Sequence, residues 1–376
     1  MAGIYIHIPF CKQACNYCNF HFATSLRQKD DFIAALAKEI NITPLFDDAN
    51  KEKIETIYIG GGTPSLLGLG DLKTIFEALH AKFEIANTAE ITLEANPDDI
   101  NPSKLSNWKT IGINRLSMGI QSFDEEELAW MNRAHNAAES LLCINIMQEA
   151  GFDNFSIDLI YGSPLLTNDR WKRNVDIAIE NQVPHISCYA LTVEPKTPLA
   201  KQIALNKTSA ANSEKQAGQF LSLMQWMRNA GYEHYEISNY ALPGMRSRHN
   251  SSYWQGKNYY GFGPSAHSFD GNNRRWNIAN NAKYIQSIAQ NTIPFEEEKL
   301  TATQRLNEYI MVSLRTAEGL DVDKITEQFG KQFSDKIISL SQQYIQQGKI
   351  VLQNNSLVLT DEGKLFADGI AADLFF

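Results

Sequence analysis

The chain has 376 residues, 43% of them hydrophobic and 20% charged, which is ordinary for a globular protein with one large domain and a smaller one beside it. Its 34 basic and 43 acidic side chains leave a net charge of −9, so general binding to nucleic acid or an anionic membrane gains no support. No run of about twenty apolar residues occurs and the start lacks the pattern of an export signal; the five cysteines suit a reducing, cytoplasmic compartment better than a disulfide scaffold.

Short apolar strands alternate with amphipathic helices through the first half of the chain. The pattern predicts strands at residues 4–8, 56–59, 90–94, 115–118, 154–160 and 185–190, and helices at 31–41, 71–82, 137–149 and 171–181. Six βα units in series imply a parallel sheet, closed or partly closed into a barrel, with ligands at the carboxyl ends of the strands. Beyond about residue 230 the segments 232–239, 251–254 and 259–262 read as short strands or loops rich in aromatics. From about residue 300 helices are expected at 303–316, 322–329 and 334–347. A hairpin follows over 349–359, turning at Asn354-Asn355, then a last helix from Asp361. Helices followed by a hairpin resemble a winged-helix module. Acidic side chains outnumber basic ones there, so a lid or docking role is expected rather than DNA binding.

Chemistry concentrates after the first strand, in Cys11-Lys-Gln-Ala-Cys15-Asn-Tyr-Cys18. Thiolates are soft donors suited to iron–sulfur clusters or zinc. Three without a fourth beside them can hold a [4Fe–4S] cubane by three irons and leave the fourth iron open. A zinc site would need another ligand, for which His7 or His21 is near enough in sequence. His7 sits in a strand, however, where packing or hydrogen bonding accounts for it. Covalent c-type haem attachment is disfavoured because Asn19, not histidine, follows Cys18. A second motif, Ile59-Gly-Gly-Gly-Thr-Pro-Ser65, ends the second strand, where glycines allow close backbone approach to a ligand.

The Cys-x3-Cys-x2-Cys spacing, with Tyr17 before the last cysteine, resembles the radical S-adenosylmethionine (SAM) superfamily. That resemblance implies a cluster whose open iron is chelated by SAM, and cleavage of the sulfonium bond to a 5′-deoxyadenosyl radical. The protein's own part is to hold SAM and exclude water and oxygen. It further implies that Gly61, Gly62 and Thr63 meet the SAM amino group. More narrowly, nearly the whole chain resembles the branch containing oxygen-independent coproporphyrinogen III oxidase and the HemW-type haem chaperones. This implies that Tyr5, six residues before Cys11, packs beside SAM and the cluster. It also implies that Glu94 in Thr-Leu-Glu-Ala-Asn-Pro, Gln121 in Ser-Met-Gly-Ile-Gln-Ser, Arg133 in Met-Asn-Arg-Ala-His and Asp158 in Ser-Ile-Asp-Leu-Ile-Tyr-Gly line the SAM site. Singly, each has an ordinary alternative as a cap, a surface pair or a turn residue; their ordered placement after successive strands favours a shared site. The fold implied is α/β, an incomplete (β/α)6 radical SAM barrel with a C-terminal helical, winged-helix-like domain. The expected parts are residues 1–235, a 236–295 aromatic-rich connecting region, and 296–376.

Within that branch, Phe20 stands where the oxidase carries a fourth cysteine, and only ten residues precede Cys11, where the oxidase has a substantial extension. His249-Asn-Ser-Ser-Tyr253-Trp254 fits the HNxxYW pattern associated with HemW. Imidazole can ligate haem iron, and Tyr253 and Trp254 offer flat apolar surface; the plain alternative is aromatic filling of a core. No cysteine lies near His249, so a thioether is not supported there and the axial ligand stays open. His267 aligns near family positions lining the SAM site, Arg246 and Arg248 read as surface arginines, and Cys143 and Cys188 as core. The expected function is that of a HemW-type protein, binding haem and passing it to an acceptor haemoprotein, with an electron donor for its cluster. The alternatives are decarboxylation of two propionates of coproporphyrinogen III to vinyl groups, and a zinc-bound structural or interaction protein.

Overall fold

The structure, a computed structural model, describes residues 2–46 and 53–376. Six parallel strands form its centre: β1 (Ala2–Ile8), β2 (Lys53–Gly61), β3 (Glu84–Ala95), β4 (Arg115–Gln121), β5 (Phe155–Tyr161) and β6 (His185–Ala190). They lie side by side in chain order, as right-handed βα units dictate. Each strand alternates with period two. One face carries Ile4, Ile6 and Ile8 of β1, Ile57 and Ile59 of β2, Leu116 and Met118 of β4, and Ile157 and Leu159 of β5, all fully buried. Helices such as Lys29–Ile42 and Leu69–Lys82 cover this face with Leu36, Ile40, Leu72, Ile75 and Leu79. The opposite face is polar: Tyr5 and His7, Thr56 and Tyr58, Thr92 and Glu94, Arg115 and Ser117, Ser156 and Asp158, His185 and Ser187. A polar inner surface on a sheet this apolar elsewhere is a surface built to meet something.

Residues 233–299 supply strands to both edges of this sheet. β8 (Asn239–Ala241) adds antiparallel to β6, and β7 (Glu233–Glu236) antiparallel to β8. At the other edge β9 (Tyr259–Phe262) runs parallel to β1, followed by antiparallel β10 (His267–Phe269), β11 (Asn273–Asn277) and β12 (Phe295–Lys299). The resulting twelve-stranded sheet has two free ends, β12 and β7, so the barrel is incomplete. The segment 251–254, expected as strand or loop, belongs instead to the helix Arg248–Trp254. Ser247 caps it, and the Glu90 carboxylate accepts from the Arg248 and His249 amides at 3.0 and 2.9 Å. That acceptor comes from β3, far away in sequence, which is why local pattern does not reveal the helix.

The C-terminal unit has its own core of Leu306, Ile310, Leu314, Ile325, Ile337 and Leu357. Helix Ala302–Leu314 is followed by β13 (Leu320–Asp321), helices Val322–Phe329 and Lys331–Gln346, and the hairpin β14 (Ile350–Gln353) and β15 (Ser356–Leu359), with β13 pairing to β15. This is the winged-helix order of elements. It is fastened to the barrel where Ala317 N donates to Tyr235 O and Ile237 N to Arg315 O, 3.1 and 3.0 Å. No helix among the described residues is long and apolar enough to cross a membrane.

Candidate cluster and cofactor site

The three cysteines lie on the loop that leaves β1. Its base is closed by Cys11 N donating to Ala23 O at 3.0 Å and Ala23 N to Pro9 O at 2.9 Å. Polar contacts hold its middle: Asn16 N and Nδ2 donate to the carbonyls of Met131 and Trp130, and Lys12 pairs with Asp98 at 2.7 Å and Asp99 at 2.5 Å. The glycine turn at the end of β2 backs the loop, with Gly62 N donating to Ile8 O at 2.8 Å and Thr63 N to Phe10 O at 2.6 Å. A Cβ on Gly62 would lie 2.4 Å from Phe10 O and 3.0 Å from Cys11 Sγ, so only glycine fits there.

All three thiols open on one cavity of about 420 Å³, within the range of small-molecule sites. Its wall includes every residue expected there except Tyr5: Tyr17, Gly61, Gly62, Thr63, Glu94, Gln121, Arg133 and Asp158. Arg133 organises one side. It donates to Cys15 Sγ at 3.2 Å, to Asn96 Oδ1 at 2.7 Å and to Gly119 O at 2.5 Å, while its Nε is buried without a partner. Gln121 sits at a register shift between β4 and β5 with φ 71°, a backbone strained for a non-glycine residue, and this aims its side chain inward. Tyr5 lies one layer back, its hydroxyl donating to His7 Nδ1 at 3.0 Å and its ring stacked on Tyr58.

Glu94 accepts from the Tyr58 hydroxyl at 2.7 Å and from Gly61 N at 3.0 Å. Burial nevertheless pushes its carboxyl up to about 7, with Asp158 adding to the effect. Asp158 is raised to about 6, again chiefly by burial. Both groups hold protons in the folded state that the unfolded chain releases below pH 5. Their charged forms therefore cost stability progressively as pH rises through 5 to 7, a cost absent below about pH 4. Glu94→Gln is expected to gain on the parent by on the order of 2 kcal/mol between pH 5 and pH 8. Urea midpoints of cluster-free protein check this; a pH-independent difference contradicts it.

Several wall residues were not singled out from sequence: Tyr58, Asn96, Ser117, Ser156, Ser187 and Asn250. For Tyr58, Ser117, Ser156 and Ser187 the signal was present as polar residues at alternate positions of otherwise apolar strands. His249 lies behind Tyr58 and Tyr253. It is 1% exposed, with Nδ1 bonded to Thr56 Oγ1 at 2.9 Å and Nε2 to the Tyr253 hydroxyl at 2.8 Å, and it stacks on Tyr58. Both ring nitrogens are engaged in this structure, and the second bond holds the Tyr253 hydroxyl in place. Tyr253 and Trp254 line a second cavity of about 990 Å³ between the β1–β10 edge and the C-terminal helices. Phe20, 68% exposed, borders both cavities. Cys143 and Cys188 are buried elsewhere, and Arg246 pairs with Glu233 and Glu318.

The residues present fit an iron–sulfur cluster with SAM: three thiols on one cavity, a glycine cradle behind Cys11, and charged groups of both signs beyond. Among the described residues no three or more His, Cys, Asp or Glu side chains gather as a single metal ion requires. Fold and site define a radical SAM protein. Residues 5–178 match the radical SAM superfamily model and residues 300–366 the HemN C-terminal domain model. The E. coli coproporphyrinogen III oxidase HemN superposes over the whole chain and 90% of its own, with TM-score 0.85 at 23% identity, a likeness of fold. The haem chaperone HemW of Bacillus subtilis is 31% identical, covering 98% of both chains. That of Mycobacterium tuberculosis is 32% identical over 99% of this chain and 94% of its own, and that of Escherichia coli 30% over 98% and 96%. The chain belongs to the HemW family, and as a radical SAM protein it is of the kind that carries a [4Fe–4S] cluster and SAM.

Proposed function

We propose that this chain binds haem in the cytoplasm and passes it to an acceptor haemoprotein, using an electron donor to reduce its cluster. The observation that carries the reading is the second cavity, large, aromatic and basic, which opens beside the cluster cavity and shares Phe20 with it. The full-length relatives named as haem chaperones point the same way. Cys11, Cys15 and Cys18 are assigned to the cluster. Gly61, Gly62, Thr63, Glu94, Gln121, Arg133 and Asp158 are assigned to SAM, with Tyr17 on the wall and Tyr5 behind it. When bound, the cluster and SAM supply one-electron cleavage of a carbon–sulfur bond. The chain's own residues do the positioning: Arg133 fixes Cys15 against Asn96, and Glu94 offers a carboxylate shaped by Tyr58 and Gly61 toward an ammonium group. Tyr253 and Trp254 present aromatic surface toward haem, and His249 holds Tyr253 in place.

Phe20 offers no thiol for hydrogen or metal chemistry, which disfavours porphyrinogen decarboxylation. The test is an anaerobically reconstituted sample given haem in one portion and coproporphyrinogen III, SAM and reductant in another. A sharp Soret band with stoichiometric haem and no protoporphyrinogen IX is expected. Absence of the Soret band, or accumulation of protoporphyrinogen IX, overturns the reading.

A further inference from the structure

We infer that the outward face of helix Pro198–Ala204 and its flanking turns is where the electron donor docks, and that this donor is an acidic one-electron carrier protein. The inference rests on the cluster and the electron-donor role proposed above. Position is the first observation. The helix follows β6 and lies against the cysteine loop itself, Leu199 N donating at 2.8 Å to the carbonyl of Asn16, the residue after Cys15. Leu199 packs with Met131, Ile160 and Leu191, and Tyr17 and Ile203 close over them. Past the helix end, the Trp130 indole N–H donates to Thr208 Oγ1 at 3.1 Å, while the Trp130 carbonyl accepts from Asn16 Nδ2 at 2.6 Å. Both ends of this segment are therefore tied to Asn16, directly and through Trp130. Electron tunnelling falls steeply with distance, so a donor protein has to dock beside that loop.

Charge is the second observation. Between Glu194, which lines the cluster cavity, and Glu214 the chain carries Lys196, Lys201 and Lys207 and no acidic residue. The cysteine loop adds none, since the first acidic residue of the chain is Asp30. All three lysines are exposed, and none has a carboxylate partner among the described residues. Acidic side chains on the adjoining helix Glu125–Trp130 are already occupied, Glu126 by Arg170 at 2.7 Å and Glu125 by the Ala137 amide at 2.9 Å. With a net charge of −9, most of the surface repels an acidic protein, which an uncompensated basic face then steers to itself. Leu205, 56% exposed, lies one helical turn beyond Lys201 on the same side, its N–H bonded to Lys201 O at 3.1 Å. Cations around one apolar side chain suit the small interface of a transient redox encounter. A membrane face takes clusters of about four to eight basic residues, more than are present here. The docked carrier loses one electron to the cluster, and no bond is made or broken.

Binding of a plant-type ferredoxin, an acidic one-electron carrier, to the full, reconstituted chain tests the assignment. The parent is compared with the triple variant Lys196→Glu, Lys201→Glu, Lys207→Glu and with Lys53→Glu, Lys299→Glu, Lys336→Glu, which makes the same change of net charge on other elements. At low ionic strength the first variant is expected to bind roughly tenfold more weakly and the second as the parent does, the gap closing as salt rises to about 0.5 M. The neutral Lys196→Gln, Lys201→Gln, Lys207→Gln chain, which adds no acid at the helix end, is expected to fall between them. Reduction of the cluster by dithionite, which needs no docking, stays at the parent rate throughout. Parent-like ferredoxin binding in the first variant and its glutamine counterpart, equal weakening in the control, or equal slowing with dithionite overturns the assignment. So does a parent that leaves ferredoxin free; binding instead to vesicles of phosphatidylserine and phosphatidylcholine marks a membrane face. In all of these outcomes the cluster and the haem-binding function stand. A parent that takes up no iron overturns the electron-donor role and this assignment together.

Discussion

Cys15→Ala is expected to take the iron of anaerobically reconstituted protein from about four atoms per chain to near zero, with loss of the broad absorption near 400 nm. Two thiols cannot replace a three-point attachment, and the cavity offers no fourth cysteine, since Phe20 follows Asn19 on the same loop. Reductive cleavage of SAM falls with the cluster, to the background of a chain without iron. The fold is expected to survive. The loop is held by the bonds of Cys11 N, Ala23 N and Asn16 and by Lys12 on Asp98 and Asp99, none of which uses a cysteine side chain. Cys143→Ala is the informative partner. Burial pushes that thiol up to about 12 and places it against the core, so its loss costs roughly 1 kcal/mol and leaves the iron in place. Retention of near-parental iron by Cys15→Ala contradicts the cluster assignment; loss of iron from Cys143→Ala as well means that cluster uptake reports stability instead.

The cluster site was legible because its residues come as short, contiguous motifs at the ends of strands. Cys11 to Cys18, the glycine turn and the Glu94, Gln121, Arg133 and Asp158 segments each carry their signal within a few residues. The parallel order of β1 to β6 follows from apolar strands alternating with helices, since such units connect in only one hand. The inner polar face was equally present, as Ser117, Ser156 and Ser187 at alternate positions, yet one polar residue in a strand has too many ordinary explanations to be read alone. Two things were beyond local pattern. Helix Arg248–Trp254 depends on the Glu90 carboxylate from a distant strand, and its serine and aromatic content reads as strand or loop. The second cavity draws Phe20 from the cysteine loop and Trp254, His267, Arg305 and Lys324 from segments more than two hundred residues further along the chain. Contacts of that range appear only when the sheet edge and the C-terminal unit are placed together.

The second large effect is expected from a single methyl group. Gly62→Ala puts a Cβ 2.4 Å from the Phe10 carbonyl oxygen, closer than any stable contact, with the Phe10 carbonyl carbon at 2.9 Å and Cys11 Sγ at 3.0 Å. Backbone must move, because a carbonyl has no rotamer into which to retreat. The amides on either side resist, Gly62 N being bonded to Ile8 O and Thr63 N to Phe10 O. The expected cost is about 2 kcal/mol, a typical value for overpacking. Displacement of Cys11 should also lower cluster occupancy by well over half. Gly61 would be a poorer probe, since its φ of 112° adds backbone strain to any clash, whereas Gly62 has no positive φ. Gly70→Ala makes the matched comparison: it lies in helix Leu69–Lys82 with nothing within 4 Å of the new methyl. There alanine should stabilise by roughly 0.5–1 kcal/mol through helix propensity, with iron content unchanged. The same chemical change thus carries opposite signs at two glycines eight residues apart. Urea midpoints and iron content measured on both variants decide it: parental iron in Gly62→Ala means that the turn does not position Cys11.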